Sequence, residues 1–222
     1  MIKLHLGCGQ TYYEGYVNID FPQTEHTVQK NVRVDKFADL VRLNYPADSI
    51  EEIRSHHAFE HFTRPTALAL LCRWRDFLKI GGLLRIETPD ALECFRLMID
   101  NSVSFDHKQQ VMRHLFGSHE AKWAMHLDGW YKEKFEYTLS RLGYSQIQYK
   151  TNQYGILRNI EVYAYKSDKD FDTSDYRRLV EDILILSTVK EDLGKKARPE
   201  GSELDMLGVW MNDWEEVYTF SP

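Results

Sequence analysis

Short apolar runs that alternate with polar residues, separated by glycine and polar turns, dominate the first two thirds of the chain. Ile2-Lys3-Leu4-His5-Leu6 sets Leu4 and Leu6 against polar neighbours, the period of a strand. Tyr16-Val17-Asn18-Ile19 is a second apolar run and ends in Asp20. Val32-Arg33-Val34-Asp35 and Ile50 to Ser55 read as a third and a fourth strand. The period then changes. Thr63-Arg64-Pro65 opens a helix, with Thr63 as its cap and proline in its first turn. Leu68, Leu71, Trp74 and Leu78 recur at helical spacing until Gly81-Gly82 ends the run. Leu83 to Glu87 is the next strand, and Ala91 to Ile99 the next helix. Residues 101–129 lose the pattern, carry His107, His114, His119 and His126, and read as a lid that holds a short helix. Tyr131 to Leu142 resumes as a helix that Gly143 stops. Ser145 to Lys150 and Asn159 to Lys166 complete seven strands, as a hairpin with a long loop.

This alternation predicts an α/β fold over residues 1–166. It is a doubly wound, mainly parallel seven-stranded sheet with helices on both faces and one antiparallel edge strand. Residues 167–222 form a C-terminal helical extension. Ser174 caps a helix with Tyr176, Val180, Ile183 and Leu184 on its apolar face, and Leu207, Met211, Trp214 and Tyr218 mark a second helix. The two either pack on the domain, form a homodimer contact, or cover the acceptor site, since aromatic and methionine side chains are enriched at interface cores.

Composition narrows the class. The 222 residues, 43% of them hydrophobic, suffice for one α/β domain with an appendage. No apolar run approaches the roughly 18 residues of a membrane span. The amino terminus enters a strand directly, without the succession of a secretory signal. Cys8, Cys72 and Cys94 are too scattered for a disulfide framework or a cysteine metal site, so a cytoplasmic location is expected. The net charge of −6 disfavours a nucleic-acid partner.

Candidate chemistry starts at Gly7-Cys8-Gly9. Two glycines directly after a strand let the backbone turn sharply and approach a ligand with no Cβ in the way. Asp20, at the tip of the next strand, offers a carboxylate to two ribose hydroxyls. A dinucleotide site needs a third glycine where Tyr12 stands, and Asp20 follows Gly9 by only eleven residues. The ligand expected is therefore a nucleoside without a pyrophosphate.

Four segments together carry a resemblance. They are Leu6-Gly7-Cys8-Gly9 with Asn18-Ile19-Asp20, Ala38-Asp39-Leu40, Ser55 to His61, and Leu78 to Ile86 around Gly81-Gly82. In this order they resemble the class I S-adenosylmethionine-dependent methyltransferases, in particular predicted members with a leucine-glycine-cysteine-glycine turn and a glutamate-histidine pair after the fourth strand. His126-Leu127-Asp128-Gly129-Trp130 is similar to a late segment of that family. The resemblance spans roughly residues 1–166 and implies a Rossmann-like fold with S-adenosyl-L-methionine as cofactor. It implies that Gly7, Cys8 and Gly9 approach the tail and ribose, and that Asp20 accepts the ribose hydroxyls. Asp39 and Leu40 would meet the adenine, and His56 and His57 the methionine part. Two positions depart from the pattern. His5 or Leu6 stands where an acid often precedes the turn, and Ile80 replaces the usual proline.

Methyl transfer from a sulfonium requires alignment, and an oxygen acceptor also requires removal of its proton. His57 and His126 are the candidate bases, with Glu60, His61 and Asp128 nearby. A metal held by His56, Glu60 and His61 is not expected, because the zinc motif His-Glu-x-x-His is absent and adjacent Glu-His side chains diverge. Tyr12, Tyr13, Trp130 and Tyr131 are candidates for an aromatic wall against a sugar or planar acceptor. The function expected is O-methylation of a small molecule or glycan. The alternative is a catalytically silent cofactor-binding or assembly protein.

Overall fold

The computed structural model describes residues 1–25, 28, 32–189 and 198–220. Its seven strands are β1 (Ile2–Leu6), β2 (Val17–Asp20), β3 (Lys36–Phe37), β4 (Ile50–His56), β5 (Leu78–Pro89), β6 (Tyr144–Tyr154) and β7 (Leu157–Lys166). They form one sheet in the order β3-β2-β1-β4-β5-β7-β6. The first five strands are mutually parallel. β7 lies between β5 and β6 and is antiparallel to both. The antiparallel strand is therefore interior rather than at the edge, because the second arm of the hairpin, not the first, pairs with β5. The hairpin itself turns on two residues, Gly155 and Ile156, between Tyr154 and Leu157, in place of the expected long loop.

Among the described residues the α-helices are α1 (Arg64–Phe77), α2 (Ala91–Ile99), α3 (Phe105–Phe116), α4 (Lys132–Arg141), α5 (Thr173–Ile185) and α6 (Ser202–Tyr218). Register assigns the sheet two unlike faces. On one, Ile19, Leu6, Ser55, Ile86, Val162 and Tyr149 run side by side across six strands. This face shares a continuous core with Trp74 of α1, Phe135 of α4, Tyr176 of α5 and Trp214 of α6. The other face carries Asn18, His5, Arg54, Arg85, Tyr163 and Gln148 in the next row. Its charges pair across strands: Lys3 with Glu52 at 3.2 Å, and Arg85 with Glu161. Tyr13 and Tyr16 lie over it, Tyr13 against His5 and Arg54, Tyr16 donating to Glu52 at 2.6 Å.

Helices on both faces are thus not what forms. The ten-residue link from Gly7 to Tyr16 holds no crossover helix, and α2 and α3 reach only the start of β7 through Ile156 and Leu157. Strand alternation with one charged face is the consequence. Tyr12 and Tyr13 go to this polar face and Trp130 stacks on Phe135 in the core, so these three make no acceptor wall.

Smaller expectations shift for local reasons. Asp35 is drawn to β2, accepting the Asn18 N–H at 2.8 Å, and the third strand begins one residue later. α1 stops at Phe77 because Leu78 already pairs with Ile50. Gly81 instead takes φ +76° where the register of β5 slips. Thr63 caps α1 by position, while its hydroxyl bonds Thr66. The cap of α5 is Asp172, in a reciprocal box with Asp175, and Ser174 bonds the Asp172 carboxylate.

The C-terminal helices are pinned from α1. Asp76 accepts the hydroxyls of Tyr176 and Tyr218 at 2.9 and 3.2 Å, and buried Arg75 donates to the carbonyls of Gly143 and Ser167. Leu207, Met211 and Trp214 face inward and pack on the domain. These helices lie on the sheet's apolar side and line neither cavity described below. No helix among the described residues is long and apolar enough to cross a membrane.

Candidate active site

Parallel strands β1, β2 and β4 end at one edge of the sheet, and the loops that leave them converge there. Gly7 turns out of β1 at φ +67° while its N–H donates to Ile19 of β2. A Cβ at Gly7 would stand 2.4 Å from that of Ala58, so only glycine lets this loop meet the end of β4. Asp20 closes β2 with its carboxylate turned back: Oδ2 accepts the Gly9 N–H at 2.5 Å and Oδ1 the Phe21 N–H at 2.7 Å.

These residues bound a cavity of about 190 Å³, lined by Gly7, Gly9, Asp20, Leu40, His57 and Ala58, with Phe21, His61, Phe62 and Trp123 completing its wall. Three other residues expected at the cofactor lie outside that lining. Cys8 is buried with its thiol toward the carbonyls of Gly9 and Arg33, and burial pushes its pKa up to about 12. Asp39 uses one carboxylate oxygen to cap the 3-10 turn Leu40–Arg42, accepting the Val41 N–H at 3.0 Å. His56, on the polar face of the sheet, pairs with Glu87 at 3.0 Å.

A second cavity, of about 490 Å³, opens beside the first. His57, Glu60 and His61 reach it from the turn after β4; Gln110, Arg113 and His114 from α3; His126 from the segment after it; Tyr154 and Leu157 from the hairpin. His57 and His61 line both cavities. The segment expected as a lid over residues 101–129 covers this cavity, and α3 is its helix. Backbone bonds hold it there: Leu127 N–H donates to the Glu60 carbonyl at 2.8 Å, and His126 N–H to Phe116.

His57 is the most constrained residue of the site. It takes φ +52°, a conformation L residues adopt rarely, and its N–H donates to Glu87. Its Nδ1 lies 3.1 Å from Glu60 Oε1, and its Nε2 3.6 Å from Glu87 Oε1. Burial alone would lower its pKa; the bonds to the two carboxylates outweigh that and raise it to about 10. The ring is a cation wedged between two anions. The Asn159 amide donates from Nδ2 to Glu87 Oε1 at 3.0 Å and lies 3.0 Å from His57 Nε2, while its Oδ1 lies 2.7 Å from His114 Nε2. Glu60, fully enclosed, would be raised by burial, yet the hydrogen bond and charge of His57 hold it below the usual carboxylate range.

Two other cavity histidines, His126 and His114, go the other way. Burial lowers the His126 pKa to about 4, and burial lowers His114 against the bond from Asn159. His126 Nδ1 is buried without a hydrogen-bond partner among the described residues, and its Nε2 lies 4.0 Å from Glu60 Oε1. Of the two histidines singled out as bases, His126 is kept neutral with a ring nitrogen to spare, while His57 is engaged at both nitrogens. Residue patterns could not reach Trp123, Gln110, Arg113 or Tyr154. The four histidines in residues 101–129 were the only signal that this stretch had chemistry to cover.

By sequence, no protein-family model and no curated protein matches the chain. Solved structures match by fold. A SAM-dependent methyltransferase from Archaeoglobus fulgidus aligns with a TM-score of 0.51 at 12% identity, over 74% of this chain and 86% of that one. One from Methanosarcina mazei aligns at 0.48 and 13%, over 75% and 92%. A phosphoethanolamine N-methyltransferase from Haemonchus contortus, solved with phosphomonomethylethanolamine and S-adenosylhomocysteine, aligns at 0.45 and 12%, over 76% and 50%. The first of these likenesses shows the architecture: the chain has the Rossmann-like fold of SAM-dependent methyltransferases, with a mixed seven-stranded sheet.

Proposed function

We propose that the protein is an S-adenosylmethionine-dependent methyltransferase that acts on a hydroxyl of a small molecule or glycan. One observation carries the reading: two cavities meet at a common wall, His57 and His61. A donor and an acceptor held in adjoining chambers can be brought into line, which is most of what such a transfer asks of a protein. When bound, the cofactor supplies a methyl group already activated on a sulfonium.

The residues of the smaller cavity suit that cofactor. Gly7 and Gly9 bring backbone close to the ligand, Asp20 offers its carboxylate, and Leu40 supplies an apolar side for a base. Asp39 would meet the adenine from just outside that lining, with its second carboxylate oxygen, and Cys8 contributes backbone to the turn. At about 190 Å³ this cavity is below the roughly 300–1,000 Å³ of most ligand pockets. The methionine part would therefore run past His57 toward the larger chamber, with His56 behind it.

In the larger chamber Gln110 and Arg113 line the acceptor's place with polar groups, which suits a hydroxylated acceptor. His126 handles the proton that the hydroxyl gives up, since it has a partnerless buried ring nitrogen there. His57 is the second catalytic residue. It touches both chambers and fixes the wall between them through Glu60 and Glu87.

Calorimetry with S-adenosylhomocysteine, followed by turnover assays over a panel of sugars and small hydroxylated molecules, tests the reading. Saturable binding with turnover of at least one acceptor is expected. Absence of binding overturns it, and binding without turnover across the panel points to the silent, assembly role.

A further inference from the structure

Glu60, His61 and His126 converge at the wall of the larger cavity. One ligand atom from each falls within 4.8 Å of the other two. We propose that these three side chains bind a divalent transition-metal ion of the zinc type, with its open positions facing the acceptor chamber. The inference rests on that chamber being the acceptor site; with the ion held, His126 would be its ligand instead of the base, and the ion would supply the help in deprotonation that the ring gives without it.

Three features of the unliganded side chains support it. Glu60 is 2% exposed, and its Oε2 has no hydrogen-bond partner among the described residues. A buried carboxylate oxygen without a partner is expensive, and a cation is the partner that compensates most. His126 has no side-chain hydrogen bond among the described residues, and its Nε2 lies 4.0 Å from Glu60 Oε1. His61 Nδ1 lies 3.1 Å from the Met125 carbonyl. A carbonyl only accepts, so Nδ1 carries the proton and Nε2 keeps its lone pair. That is the tautomer in which metal-binding histidines are held by a second partner. His57 does the same for the carboxylate, binding Oε1 and leaving Oε2.

The zinc motif His-Glu-x-x-His is absent, and adjacent Glu and His side chains are expected to diverge. Here they lie on the 3-10 turn Phe59–His61, and a third ligand comes from 65 positions further on. The bond from Leu127 N–H to the Glu60 carbonyl brings it there. His56, the third ligand weighed from sequence, is taken by Glu87. Two imidazoles and one carboxylate with positions left open are a donor set for zinc and its neighbours, while magnesium and calcium prefer oxygen alone. Tetrahedral bonds of about 2.0–2.1 Å place ligand atoms ~3.3 Å apart, so the side chains would close in by up to about 1.5 Å on binding.

Cobalt(II) is the probe, because its visible absorption reports ligand number and type. Tag-free full-length protein, stripped with a chelator, is titrated with Co2+. One equivalent with tetrahedral or five-coordinate bands is expected, displaced by Zn2+ and not by Mg2+. Glu60→Gln, His61→Ala and His126→Ala should each weaken it by at least about 100-fold, since each deletes a ligand where loss of an outer partner alone costs about 10–100-fold. His114→Ala, in the same cavity, should keep the bands. S-adenosylhomocysteine calorimetry on each variant checks that the fold persists. No bands, or one equivalent that survives all three substitutions, overturns the metal site. Cofactor binding with no Co2+ site would leave the methyltransferase reading standing, and Co2+ binding with no cofactor binding would do the reverse.

Discussion

The two cavities are built by different means. The smaller is backbone-made: a glycine turn, the tip of the next strand and Ala58, all fixed by parallel strands that end together. The larger is side-chain-made: four histidines and a glutamate, His57, Glu60, His61, His114 and His126, are delivered by three separate segments and tied by a few hydrogen bonds. The first tolerates no added atom, and the second depends on which groups are charged. A fold can thus hold a common cofactor by shape while leaving acceptor chemistry to an interchangeable lid.

The largest expected effect breaks the second cavity alone. His126→Ala should lower turnover by about 10²–10⁴-fold, the usual contribution of a proton-handling group, with S-adenosylhomocysteine affinity unchanged by calorimetry. A parallel loss of cofactor affinity would merge the two cavities into one unit. Gly7→Ala is the converse. Its Cβ would meet Ala58 at a positive φ, adding about 1–2 kcal/mol of backbone strain and a similar overpacking term. Cofactor affinity should fall about 100-fold, read by the same titration. Asp20→Asn keeps the shape and removes the charge. The expected loss is about tenfold, and no loss would mean that the carboxylate serves only the loop N–H groups.

Proton linkage sharpens the contrast between buried histidines. Burial lowers His5 to about 4 even with its bond to Asn18, whereas an unfolded histidine titrates near 6.5. Between those values the unfolded chain holds the extra proton, so stability should fall as pH drops from about 6.5 to about 4. His126 adds the same sign. His57 opposes it in another window: raised to about 10, it contributes fully below about 6.5 and loses that contribution as pH climbs to 10. Melting temperatures across this range check both slopes, and His5→Gln should flatten only the acidic one. The smallest effect is optical. Trp123 lines the smaller cavity, while Trp74, Trp130 and Trp214 are buried elsewhere. Cofactor titration should alter tryptophan emission in the native chain, and Trp123→Phe should abolish most of that change.

Elements with strong local periods were legible. α2 starts and ends where the apolar spacing put it, and β1, β2 and β4 do so within a residue. Where a long-range pairing competed, the local signal lost. Leu78 continues the helical spacing of α1 yet pairs with Ile50, and Val34 and Asp35 alternate like a strand although Asp35 is bound to Asn18 and Tyr12. The bare sheet face was hidden because alternation in β1, β4 and β5 records that a face is polar without saying what would cover it. Of the residues that line the smaller cavity, Gly7, Gly9 and Asp20 were expected from position along the strands and Leu40 from the family resemblance, while Trp123 there and Arg113 in the larger cavity had no pattern to betray them.

From sequence alone came the glycine turn, the carboxylate after the next strand and the run of elements, because each depends on neighbours a few residues away. Tertiary structure decided that His57 is pinned between Glu60 and Glu87, that His126 meets Glu60 and His61, and that the two chambers share a wall. Those outcomes depend on contacts spanning up to about a hundred residues, such as Asn159 against His57, and no local period encodes them.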